Sequence, residues 1–84
     1  MPLRFGDNVT TAQTEYGTVL LDERAGIYWE LNPTATLVVS TLLDGGEEAA
    51  AAAALVEEFD IDQAQALRDV RTLVQQLQSS GLAS

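Results

Sequence analysis

The stretch Ile27-Tyr28-Trp29-Glu30-Leu31-Asn32-Pro33 changes character at its middle, and that change sets the fold class. Ile27, Trp29 and Leu31 alternate with Tyr28 and Glu30, the two-residue period of a strand with one face turned inward. Asn32-Pro33 then reads as a helix start. An Asn side chain at the N-cap accepts from a first-turn N–H, and Pro at the first helical position gives up a donor that had no partner.

Outward toward the N-terminus, the pattern stays extended. Asp22-Glu23-Arg24-Ala25-Gly26 is a polar loop with Gly near its end, as a hairpin connection of this length requires. Thr18 to Leu21 is a short apolar run with a β-branched start and reads as a strand. Val9 to Thr14 is threonine-rich and ends at Glu15-Tyr16-Gly17, so a further strand and a turn are expected there. The three strands form an antiparallel meander with Ile27–Leu31 last in order.

Outward toward the C-terminus, everything is helical. Ala35, Leu37, Val38, Val39, Leu42 and Leu43 sit on a first helix that stops at Asp44-Gly45-Gly46, the glycines supplying a left-handed C-terminal position. Glu47-Glu48 open a second helix at its positive dipole end. Six consecutive alanines, Ala49 to Ala54, continue it, with Leu55, Val56 and Phe59 as its larger apolar groups. Asp62 and Gln65 read as a capping box for a third helix running to about Ser79. Its apolar positions Ala66, Leu67, Val70, Leu73, Val74 and Leu77 span a stripe about 120° wide, and Gly81 ends it. Strands followed by helices without a linker predict one α+β domain over residues 1–84, similar in outline to a winged helix-turn-helix.

Composition narrows the function. The 84 residues include no histidine, lysine or cysteine. The commonest general base, every Schiff-base mechanism and every thiolate are therefore excluded, and neither catalysis nor a metal or other cofactor is expected. Thirteen acids against four arginines give a net charge of −9, poor footing for phosphate contacts on nucleic acid or for an anionic membrane surface. A neutral or basic peptide is the easier partner. No signal segment or spanning apolar run is visible, so a cytoplasmic location is expected.

Apparent sites dissolve on inspection. Asp60-Ile61-Asp62 lacks further oxygen ligands at calcium-loop spacing, and its second Asp is taken up by capping. Asp44-Gly45-Gly46-Glu47-Glu48 precedes a helix but puts two carboxylates where a phosphate would sit. Ser40 has no activating base. The third helix carries only Arg68 and Arg71 against Asp62 and Asp69, unlike a major-groove reader.

Ile27–Leu31 is different. As the last strand of the meander it exposes a row of unpaired N–H and C=O groups, and edges of that kind are normally guarded by lysine, proline or a bulge. Here the guard is Glu30 alone. An extended peptide could add as a further strand, with main-chain bonds for affinity and pockets for specificity. The third helix would form the opposite wall. A different class of function, a winged-helix module dimerising through this same edge, fits the pattern too.

The run Tyr16-Gly17-Thr18-Val19-Leu20-Leu21-Asp22-Glu23-Arg24, continuing as Gly26-Ile27-Tyr28-Trp29-Glu30-Leu31-Asn32, resembles the PqqD-like family of precursor-recognition elements, especially the stand-alone members of lasso-peptide pathways. The spacing Asp69-Val70, Leu73-Val74, Leu77 and Gly81-Leu82 is also similar. The resemblance implies three strands followed by three helices, with a precursor's leader peptide lying along the third strand and facing the third helix. It places Ile27, Tyr28, Trp29 and Glu30 on the pairing strand and Asp69, Val70, Leu73, Val74 and Leu77 on the opposing helix. Which of these touch the leader and which belong to the core is left open. It further implies a non-catalytic, monomeric adaptor serving a separate leader peptidase, with a cyclase acting afterwards. A chaperone for a radical enzyme in quinone-cofactor synthesis would share the same groove.

Overall fold

A computed structural model of the chain describes residues 3–83; residues 1, 2 and 84 of the expected domain lie outside the described residues. Three strands, β1 (Val9–Thr14), β2 (Gly17–Asp22) and β3 (Ile27–Leu31), precede three helices, α1 (Pro33–Leu43), α2 (Glu48–Phe59) and α3 (Gln63–Ser79). The sheet is antiparallel in the order β1-β2-β3. This is the expected α+β architecture, three strands followed by three helices, and the winged-helix-like description fits it.

Local chemistry accounts for each junction. The β1–β2 turn is Glu15-Tyr16, with Thr14 opposite Gly17. Gly17 has φ +143°, and a Cβ there would collide with the Leu31 carbonyl oxygen, so only glycine lets β3 close against this end of β2. In the β2–β3 loop, Asp22 Oδ1 accepts from the Arg24 and Ala25 N–H groups, a local turn-forming bond. Asn32 Oδ1 caps α1 by accepting from the Ala35 N–H at 2.9 Å.

The ends of α1 and α3 are built alike. Gly45 N–H donates to the Leu42 carbonyl and Gly46 N–H to that of Thr41, the paired bonds of a Schellman motif with Gly45 at φ +93°. After α3, Gly81 N–H donates to Gln78 and Leu82 N–H to Leu77, with Gly81 at φ +83°. Between them, α2 ends on Asp60 in the left-handed region (φ 53°, ψ 43°), which Asp tolerates better than most side chains. The expected capping box is half formed. Asp62 Oδ2 accepts from the Ala64 and Gln65 N–H groups, but the Gln65 side chain turns along the helix to Asp69 instead of back to the cap.

The core lies between the inner face of the sheet and the helices. Leu20 and Leu31 come from the strands, Val38, Val39 and Leu42 from α1, Ala51, Ala52 and Leu55 from α2, and Ala66, Val70 and Leu77 from α3. The buried alanines let α2 approach its neighbours closely. Phe59 and Leu43 fall at helix ends and are 41% and 45% exposed, so they add less to the core than their size suggests.

Candidate peptide-binding groove

With β2 in the middle of the sheet, β3 has one edge paired and the other open among the described residues. The register Thr18–Leu31, Leu20–Trp29 and Asp22–Ile27 puts Trp29 and Leu31 beside inward-facing Leu20. Leu31 is buried and Trp29 half-buried against the core. Tyr28 and Glu30 pair with Leu21 and Val19 on the face turned away from the helices. Ile27 shares the inner face but stands at the strand's end, 55% exposed.

No Cα of β3 lies within 8 Å of α3 among the described residues; both elements touch α1. The start of α1, which follows β3 directly, is shared ground between the two elements. A cleft of about 300 Å³ opens there. Ala35 and Val38 of α1, Leu55 of α2, Ile61 of the α2–α3 link and Leu73 of α3 form its apolar floor, and Asn32, Thr34 and Asp69 its polar rim. An apolar floor with a few polar groups at the mouth suits a side chain of a bound peptide.

The Asp69 carboxylate is held in place at that rim. Gln65 Nε2 donates to Asp69 Oδ1 at 2.8 Å, and Arg68 Nη2 donates to Gln65 Oε1 at 2.9 Å. Residues spaced at three and four along a helix meet in this way. On the opposite flank Arg71 reaches Glu48 of α2 at 3.6 Å, which marks the side of α3 that packs on α2.

These positions sort the helix residues. Asp69 and Leu73 line the cleft. Val74 is 100° round the helix from Leu73, on the flank nearer Arg71 and α2, and is half-buried. Val70 and Leu77 are fully buried. The α3 residues that meet a peptide were left open by the sequence; Val70 and Leu77 sit at the centre of the apolar stripe, where α3 meets the rest of the core. Sequence periodicity identifies that stripe but not which of its edges borders open space.

Residues not anticipated as lining the cleft are Asn32, Thr34, Ala35, Val38, Leu55 and Ile61. Ile61 carried a readable signal, since it is a large apolar residue between two carboxylates in a short link, with no helix face to account for it. The others are contributed by elements whose mutual placement no local pattern reveals. A second depression lies at the β1–β2 turn and includes Tyr16, Val19, Glu30 and Asn32. Glu30 belongs to that side of β3, and Asn32 borders both.

The family model described as coenzyme PQQ synthesis protein D (PqqD) matches residues 17–83. Two solved structures are similar over almost their whole length. A lasso peptide synthetase B1 complexed with the leader peptide is 43% identical, with a TM-score of 0.94, covering 100% of this chain and 99% of that one. TbiB1 in complex with the TbiA(beta) leader peptide is 25% identical, with a TM-score of 0.86, covering 96% and 94%. No curated protein matches the sequence.

Proposed function

The chain belongs to the PqqD family, and on that premise we propose that it binds the leader segment of a ribosomal precursor peptide and presents it to a separate leader peptidase in lasso-peptide biosynthesis. The leader adds to the open edge of β3 as a fourth strand. Its main chain bonds the free N–H and C=O groups of Ile27–Leu31, and the side chains directed at the helices enter the cleft beside Leu73. Side chains directed the other way run beside Tyr28 and Glu30. The observation that carries this reading is the open edge of β3, continued by Asn32 into the apolar cleft that α1, α2 and α3 share. Likeness along the whole chain to a synthetase component solved with a leader peptide supports it.

The chain delivers the precursor and leaves the chemistry to its partners, the peptidase and then the cyclase. A sequence without histidine, cysteine or lysine supports that division. Glu30 and Asp69 favour basic groups on the leader. The recognition domain acts as a monomer in the cytoplasm; no helix among the described residues is long and apolar enough to cross a membrane.

Fluorescence anisotropy with a labelled leader peptide, that of the similar TbiB1 complex as the first probe, tests the reading. Saturable binding that a scrambled peptide does not reproduce is expected. A folded chain that ignores the unscrambled leader would sink the proposal for precursors of that kind.

A further inference from the structure

The wall of the groove formed by α3 is tied to the sheet by a segment far from it in sequence. α3 packs along α2 and touches α1, yet among the described residues none of its Cα atoms comes within 8 Å of a strand. The direct main-chain link between sheet and α3 runs through Leu3–Gly6. Leu3 is 7% exposed and part of the core. Phe5 forms an antiparallel bridge with Ala83, and the Gly6 N–H donates to the Leu82 carbonyl at 3.1 Å. Leu82 is itself buried, and the Leu77 carbonyl at the end of α3 accepts from the Leu82 and Ala83 N–H groups. In the other direction, the Val9 N–H donates to the Gly6 carbonyl, and the Glu23 N–H to that of Asn8. Hydrogen bonds thus run without a break from the sheet to the last turn of α3.

We propose that Leu3–Gly6 is a strap that sets the distance of α3 from the sheet, and so the width of the groove, without touching the peptide. Leu73, on the cleft floor, lies one turn, about 6 Å, from Leu77, the residue that anchors the strapped end. A displacement at that end therefore reaches the cleft wall. Among the described residues the strap is fastened to the end of α3 by the Phe5–Ala83 bridge, of which the Gly6 N–H to Leu82 carbonyl bond is part, and segments held by so few bonds open locally well before the whole domain unfolds. While the strap is open the last turn of α3 is held by the helices alone and can shift relative to the sheet, and apparent affinity falls with the fraction of chains in which the strap is closed. The proposal rests on the β3–α3 groove being the leader site.

The absence of native cysteine makes a direct test simple. Spin labels at Arg24→Cys and Gln75→Cys, both exposed positions outside the groove, report the sheet-to-α3 distance by pulsed electron resonance. Leader affinity is read in parallel on unlabelled chains. Phe5→Ser should broaden the distance distribution and raise the leader Kd by about 10-fold, in proportion to the loss of the closed state; Phe5→Leu should restore both. In case Phe5→Ser fails to fold, a Phe5→Cys, Ala83→Cys pair places two cysteines opposite each other within disulfide reach. Its oxidised form should bind the leader as the wild type does, and its reduced form more weakly. Strap variants that melt earlier but keep both the distance distribution and the leader affinity would overturn the proposal. If the wild type bound no leader, the groove reading would fail, and the distance distribution alone would decide whether the strap places α3.

Discussion

A single carbon separates a closed sheet from a disrupted one at Gly17. Its φ of +143° and the approach of the Leu31 carbonyl leave no room for a Cβ. Gly17→Ala is expected to cost about 2–3 kcal/mol through backbone strain and displacement of β3. Thermal melting should show a drop of roughly 10–20 °C for a domain of this size. Leu73 and Leu77, one turn apart on α3, separate binding from stability. Leu73→Asp puts a charge on the cleft floor and should weaken leader binding more than 10-fold, at the scale of a lost interface anchor, as anisotropy would reveal. Leu77→Ala empties a fully buried position and should cost about 2–5 kcal/mol in chemical denaturation. It would therefore be a poor probe of the groove. The sequence groups these two leucines on one stripe; their different surroundings come from which neighbours each meets.

Among the elements, β3 is the one whose role changes with its ligand. Half of its main-chain groups are bonded to β2, and the rest face outward. Addition of a leader strand should slow hydrogen exchange at those outward amides while leaving the β1 amides unchanged, because β1 is the opposite edge of the sheet. Exchange mass spectrometry with and without leader peptide checks this, and protection confined to β1 would put the peptide on the wrong side. Every element was legible in the sequence to within a residue or so of its ends. The signals were local: alternation in Ile27–Leu31, Asn32-Pro33 at the start of α1, glycines at the ends of α1 and α3, and Asp62 before α3. Where a local reading went astray it was over a side chain with two possible partners. Gln65 turned to Asp69 and Arg68 because that bond lies along the helix face, whereas the capping box needs it to fold back.

At the scale of the whole molecule, charge governs how partners approach. A net charge of −9 draws basic segments inward over about 8–10 Å at ordinary ionic strength. Raising NaCl from 50 to 500 mM should slow association with a basic leader several-fold and change dissociation little, which stopped-flow anisotropy separates. The Arg71–Glu48 pair is solvent-exposed on both sides. It contributes a few tenths of a kcal/mol at most, so its screening is outweighed by that of the self-repulsion of a −9 chain, and the same salt change should raise stability modestly in thermal melting.

The sequence by itself determined the element types and their order, the strand at the end of the meander and the acidic character that disfavours nucleic acid. Each depends on residues close together in the chain or on composition alone. It also carried the family, through the Gly26–Asn32 stretch. The tertiary structure alone decided that Val70 and Leu77 are core while Leu73 and Asp69 face open space, and that Ala35, Val38, Leu55 and Ile61 meet in one cleft. It alone brought Leu3–Gly6 to the end of α3. The physical reason is the same in each case: a helix stripe has two edges with equal periodicity. Which edge is covered depends on the packing of segments dozens of residues apart, and no local pattern encodes that.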